Sequence, residues 1–286
     1  MAGFPNIQSL VDAEIAGQSS FFSFRKTPNV NGGVGIWMDS SLAGGNPSPQ
    51  YYASSPIVSA VLTRSGEGGL NHGGNVSPLT KVIKKFNILT AGALAFPLNI
   101  IVADLLLYYP FIDEGDVTEQ TLTNSVSLSR YTDGEGVQIM CVSQAPRTGG
   151  ATFTVKYTNQ DGVSNRVTEV ATMNTSTANG NIIHTSLTTL GTKGPFLALQ
   201  VGDSGVRSVQ SITMNTGDVG LFAIVLVKPL FNTHITGNDA PVEIDFAKDN
   251  AIPPIVQDDA YLTMLFNPQT NIVGSNYYGY LQTVWN

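Results

Sequence analysis

Residues 151 to 172, ATFTVKYTNQDGVSNRVTEVAT, alternate apolar and polar side chains in two runs either side of a turn at 159–162. Alternation with a period of two marks half-buried strands, and Asn, Asp and Gly between them mark a hairpin with no catalytic polar group at its hinge. The habit recurs from Lys81 onward. Val-, Ile-, Thr-, Phe- and Tyr-rich runs at 81–89, 98–109, 118–128, 136–143, 195–201, 206–214, 221–227, 242–246 and 261–266 join 152–158 and 166–172 as predicted strands. In GVRSVQSITM the phase puts Val206, Ile212 and Met214 on one face and Val209 on the other. LFAIVLV, at 221–227, is apolar without interruption, as a central strand covered on both faces would be, which a single sheet cannot provide and two packed sheets can.

Residues 1–80 read differently. A short helix is predicted over 9–16, and beyond it Gly and Pro are too frequent for long elements. Yet Phe21, Phe22, Phe24, Trp37, Tyr51 and Tyr52 are too many aromatics for a flexible linker, so they must be buried against the chain's own body or another subunit. The tail, NYYGYLQTVWN, carries four aromatics and no charge, and it too is expected to be docked. The expected fold is mainly β: a β-sandwich or jelly-roll-like body over 81–286 with an extended N-terminal arm and irregular docking segment over 1–80.

Composition narrows the partners. Of 286 residues 42% are hydrophobic, enough for a large core, but only 12% are charged, so the surface is mostly neutral and polar. Such a surface loses little on desolvation and suits a subunit of an assembly, expected here as a homo-oligomer. The net charge of −7, with 14 basic residues and no basic stripe beyond Lys81, Lys84 and Lys85, argues against a nucleic-acid partner. No secretory signal is visible at the start of the sequence, and the protein is expected to be made in the cytoplasm. Residues 88–112 are apolar enough to raise a membrane span, but Asp104, Asn99 and Pro97 inside them favour buried strands.

Candidate chemistry is thin. GDSG at 202–205 is the tetrapeptide around a trypsin-like nucleophile, but Ser204 lacks the following glycine loop, and neither His72, His184 nor His234 has the matching setting; a β-turn is the reading. The histidines have no metal-ligand spacing, and His184 reads as a structural histidine. Asp113, Glu114 and Asp116, and the pair Asp258 and Asp259, read as solvated turn carboxylates rather than a cation site. Cys141, the sole cysteine, reads as a small buried hydrophobe. The glycine loop at 66–74 lacks the Lys-Ser/Thr ending of a phosphate loop. No enzymatic activity, cofactor or metal is expected.

Three stretches, YTNQDGVSNRVT at 157–168, GDSGVRSVQSITM at 202–214 and LFAIVLVKPL at 221–230, resemble capsid-decoration (cement) proteins of tailed bacteriophages. The resemblance implies a β-rich body on the outside of the head shell, often oligomeric, with extended segments over neighbouring subunits of the major capsid protein, and hence a place on the virion surface. It transfers no functional residue. A tail or neck component and a carbohydrate-binding β-sandwich are the alternatives. The residues expected to touch the shell are Phe21, Phe22 and Phe24 as apolar anchors, Arg25 and Lys26 as cationic contacts, and Trp37.

Overall fold

The computed structural model describes residues 3–28, 34–92, 96–175, 178–185, 194–249 and 251–286. Residues 1–2 and 29–33 of the predicted arm and docking segment, and 93–95 of the apolar stretch, lie outside the described residues. All strand pairs named below are antiparallel. The central sheet runs Met38–Asp39, Leu262–Asn267, Leu98–Asp113, Leu221–Ile235, Gln138–Ser143, with Ala60–Val61 added to Leu98–Asp113. A second sheet runs Val242–Asp245, Lys81–Ala91, Asn276–Trp285, Ser19–Thr27, Gly44–Asn46, with Ile255–Val256 also on Lys81–Ala91. A third runs Arg166–Val167, Thr152–Asn159, Val206–Met214, Glu119–Thr121, with Ala171–Thr172 beside Thr152–Asn159.

Alternation along the two longest strands sets the layers. Phe222, Ile224 and Leu226 point into a core shared with Phe153, Val155 and Tyr157 of the third sheet, while Ala223, Val225 and Val227 face the opposite way. Farther along, Ile100, Val102 and Ile235 meet Phe86, Ile88 and Leu281 of the second sheet. The second and third sheets therefore lie side by side on one face of the central sheet. The other face is sealed by loops carrying Trp37, Tyr52, Leu62 and Ile182. The body is sandwich-like, and the 221–227 run is buried on both faces as its continuous apolarity predicts.

The predicted strand at 206–214 is present, but Val209 is buried beside Val206, Ile212 and Met214 in one core. Register shifts between Val206 and Ser208 and between Val209 and Ser211 reset the phase. A bulge inserts one residue and swaps faces, which no alternation count anticipates. The predicted strand over 195–201 forms no ladder: Leu197 N–H donates to the Ile139 carbonyl and Ala198 accepts from Glu169, but the segment joins no sheet. Of 118–128 only Glu119–Thr121 is a strand.

The helix spans Ile7–Ile15, two residues earlier than predicted, because Asn6 caps it and forms a reciprocal box with Ser9. The next segment differs from the expected arm. Ser19–Thr27 is a full strand, hydrogen-bonded to Asn276–Trp285 on one side and to Gly44–Asn46 on the other. The tail is docked as that partner strand.

The apolar stretch holding Asp104 is the strand Leu98–Asp113, and no helix among the described residues is long and apolar enough to cross a membrane. At Asp104 that strand's neighbour changes from Leu262–Asn267 to Ala60–Val61, and Arg130 fills the break. Its Nε and Nη2 donate to both carboxylate oxygens at 2.9 Å, and Nη2 also reaches the carbonyls of Leu62 and Leu105 at 3.0 Å. A second buried pair joins Arg147 to Glu114, with Nη2 2.7 Å from Oε1.

His72 is buried between Ala260 and Lys81, with Nε2 2.8 Å from the Ala260 carbonyl and Nδ1 3.4 Å from Lys81 Nζ. These partners require the neutral ring, donating through Nε2 and accepting at Nδ1. Burial pushes its pKa down to about 4. Between pH 6.5 and 4 the unfolded chain therefore binds a proton that the folded chain does not, and this contribution falls as the pH falls, by roughly 3 kcal/mol at pH 4. Asp39 and Asp104, whose carboxyls burial pushes up, act in the opposite sense, so the readout is a difference. Urea unfolding of wild type and His72→Gln is expected to give a stability gap at pH 7 that narrows by about 2–3 kcal/mol at pH 4; a gap independent of pH would refute the neutral ring.

Candidate functional site

The strand Ser19–Thr27 alternates, and its even and odd positions do different work. Phe24 and Lys26 point inward; Phe21, Ser23 and Arg25 point out. The partner strand repeats this, with Tyr277 and Leu281 inside and Tyr278 and Tyr280 outside. Register then brings the outward residues together: Arg25 lies opposite Tyr278, Ser23 opposite Tyr280 and Phe21 opposite Gln282.

The result is an aromatic and cationic patch on the outer face of the second sheet. The Phe21 and Tyr280 rings lie 4.6 Å apart, and Phe21 remains 59% exposed. The Arg25 guanidinium stands 5.7 Å from the centroid of Tyr278, itself 38% exposed, and is steered there by Asn276 Oδ1 at 2.8 Å from Nη2. Tyr280 donates to Glu243, which with Asp245 holds Lys85 at 3.3 Å. Gly279 permits this arrangement from below: a Cβ there would stand 2.4 Å from the inward Phe24 ring and 2.1 Å from the Asn87 carbonyl.

The helix covers one end of the same face. Leu10 and Ala13 pack with Phe4 on Val82 and Val284, and Glu14 accepts from Gln282 at 2.6 Å, beside Phe21 in register. Its opposite side bares Ile7, Val11 and Ile15 at i, i+4 and i+8, a single stripe.

Of the predicted shell contacts, Phe21 and Arg25 are on this surface and Phe22 is half-buried. Phe24 is in the core, stacked 5.8 Å from Phe86. Lys26 is fully buried, its Nζ 3.0 Å from the Pro47 carbonyl and 3.3 Å from that of Ala43; burial lowers its pKa to about 8, partly offset by Asp39. Trp37 is sealed beneath the loops on the far side of the central sheet. Three of the six are therefore internal: period-two alternation in a packed strand sends Phe24 and Lys26 inward, and Trp37 is buried from a loop. Tyr278, Tyr280 and the helix stripe were not singled out. The alternation YYGY in the tail was the available signal.

The other motifs lie in buried or hydrogen-bonded settings. Ser204 Oγ donates to Glu135 at 2.8 Å. Asp203 accepts from Arg166, Tyr157 and Asn159, and the Arg166 hydrogen bond leads in holding its carboxyl down to about 2. Cys141 is buried. His184 is buried, with its pKa pushed down to about 3 by burial. Asp258 accepts from the N–H groups of Val76 and Ser77, and Asp259 pairs with Arg64 at 3.3 Å. Among the described residues no group of three or more His, Cys, Asp or Glu side chains gathers to hold a metal ion.

No protein-family profile matches the chain, and no characterised protein matches it in sequence. Among solved structures it is similar to the infectious bursal disease virus VP2 subviral particle, at 8% identity and a TM-score of 0.20, over 94% of this chain and 80% of that one. The structure of T=1 particles derived from the same virus gives 8% identity and a TM-score of 0.19, over 94% and 78%. Values that low carry no functional inference.

Proposed function

We propose that this protein is a structural virion subunit that docks through the outer face of its second sheet onto the outer surface of a tailed-phage head, bridging subunits of the major capsid protein. The observation that carries the reading is the Phe21, Tyr278 and Tyr280 cluster beside Arg25, presented together on the outer face of the second sheet. Aromatic and Arg side chains are the usual anchors of protein interfaces, and their rigid presentation on paired strands lowers the ordering cost of association. The three phage-like stretches support the same class of role. The protein acts as a scaffold rather than an enzyme.

The test is co-sedimentation with heads lacking the protein. Phe21→Ser combined with Arg25→Glu is expected to weaken binding at least about tenfold, roughly 1.4 kcal/mol, with little change in melting temperature, since both side chains point away from the core. Substituting Val201, which is exposed beyond the third sheet, with Ser is expected to leave binding intact. Equal binding by both variants would overturn the docking face. Cryo-electron microscopy of intact particles distinguishes a head from a tail position.

A further inference from the structure

At the end of the central sheet nearest Phe111, a cavity of about 300 Å³ opens between the 51–53 loop, the Leu98–Asp113 strand and residues 143, 144 and 179. Among the described residues no charged side chain lines it. Its floor is fixed: the buried Tyr52 ring leans on Tyr108 at 5.1 Å, and its hydroxyl is held by Asp39. Gln144 is locked across the back, donating to the Tyr52 carbonyl at 2.8 Å and accepting from Phe111 N–H at 2.7 Å. The rim is open, with the Tyr51 ring 71% exposed and the Asn179 side chain in solvent.

Phe111 itself has φ of 58°, a left-handed conformation costly for a bulky residue. The Gln144 clamp takes its N–H, so the surrounding structure holds the residue in that conformation at the pocket wall. The lining chemistry is specific. An anionic ligand would find no counter-charge among the described lining residues, and a wholly apolar one would leave the Asn179 amide without a partner in the pocket.

We propose that this pocket binds an uncharged sugar residue of a glycan, with Tyr51 and Phe111 against the C–H face of the pyranose ring and the exposed Asn179 amide meeting its hydroxyls. The volume lies at the lower end of the range for small-ligand pockets and matches one residue of a chain rather than a buried oligosaccharide. The site lies apart from the docking face and does not depend on it.

Saturation-transfer NMR with methyl α-D-glucopyranoside, methyl β-D-galactopyranoside, N-acetylglucosamine and N-acetylneuraminic acid tests this. At least one neutral sugar is expected to bind with millimolar affinity, weakened about tenfold or more by Tyr51→Ala and by Phe111→Gly. Tyr51 is exposed and glycine accepts the φ at 111, so both variants are expected to keep the wild-type melting temperature. The proposal is overturned if no neutral sugar binds at about 50 mM, if N-acetylneuraminic acid binds as tightly as the neutral sugars, or if binding survives both substitutions.

Discussion

Arg130→Met, with Asp104 left in place, is expected to cost about 3–5 kcal/mol of folding stability, because it strands a carboxylate in the protein interior. Both side chains are almost wholly removed from solvent, and the guanidinium also satisfies two backbone carbonyls at the strand break. Burial pushes the Asp104 carboxyl up, and the Arg130 hydrogen bonds pull it back. Without that pull, taking up a proton becomes its main relief. The folded-state pKa of Asp104 then rises further above its unfolded value, so the variant regains stability as the pH falls, and its deficit is expected to shrink between pH 7 and pH 4. Asp104→Leu combined with Arg130→Met removes the stranded charge but leaves the carbonyls and Tyr261 N–H without their partners, so it is expected to recover about half of the loss. Chemical denaturation of the two singles and the double across pH measures this; an additive cycle would refute the coupling.

Deletion of residues 1–30 is expected to abolish cooperative unfolding. The segment carries Phe4, Leu10 and Phe24, all buried, and at about 1.5–3 kcal/mol each they supply roughly 5–9 kcal/mol against a typical total of 5–15. The deletion also takes away a neighbour along the whole Asn276–Trp285 strand and bares its aromatics. A thermal melt followed by circular dichroism should lose its sigmoidal transition, and the product should aggregate. A truncated chain melting within a few degrees of wild type would contradict the pairing. Loss of particle binding on this deletion therefore reports unfolding, and only surface substitutions such as those at Phe21 and Arg25 isolate docking.

The body was legible in sequence where strands are long and regular: Val206–Met214 has its predicted bounds, and 221–227 is the doubly covered strand its composition implies. What alternation cannot carry is a bulge, so the face of Val209 was misplaced by one inserted residue. Ser19–Thr27 was obscured because Lys26 occupies an inward position, paired to the carbonyls of Ala43 and Pro47, which flank the Gly44–Asn46 strand. The outer-face patch was half legible. Phe21 and Arg25 stand four residues apart, whereas Arg25 meets Asn276 across 251 positions, a juxtaposition that only strand register creates.

Placing Ser19–Thr27 against Asn276–Trp285 has a consequence for how the molecule is made. A ladder between such distant segments is a high-contact-order closure, of the kind that slows folding to milliseconds or seconds and occurs late. During synthesis the early strand must wait for its partner, and Tyr278 and Tyr280 cannot stand beside Arg25 and Phe21 until residues 276–285 have left the ribosome. Nascent or prematurely terminated chains therefore lack the assembled patch. The patch is therefore a property of chains that extend through residue 285, and shorter ones cannot present it.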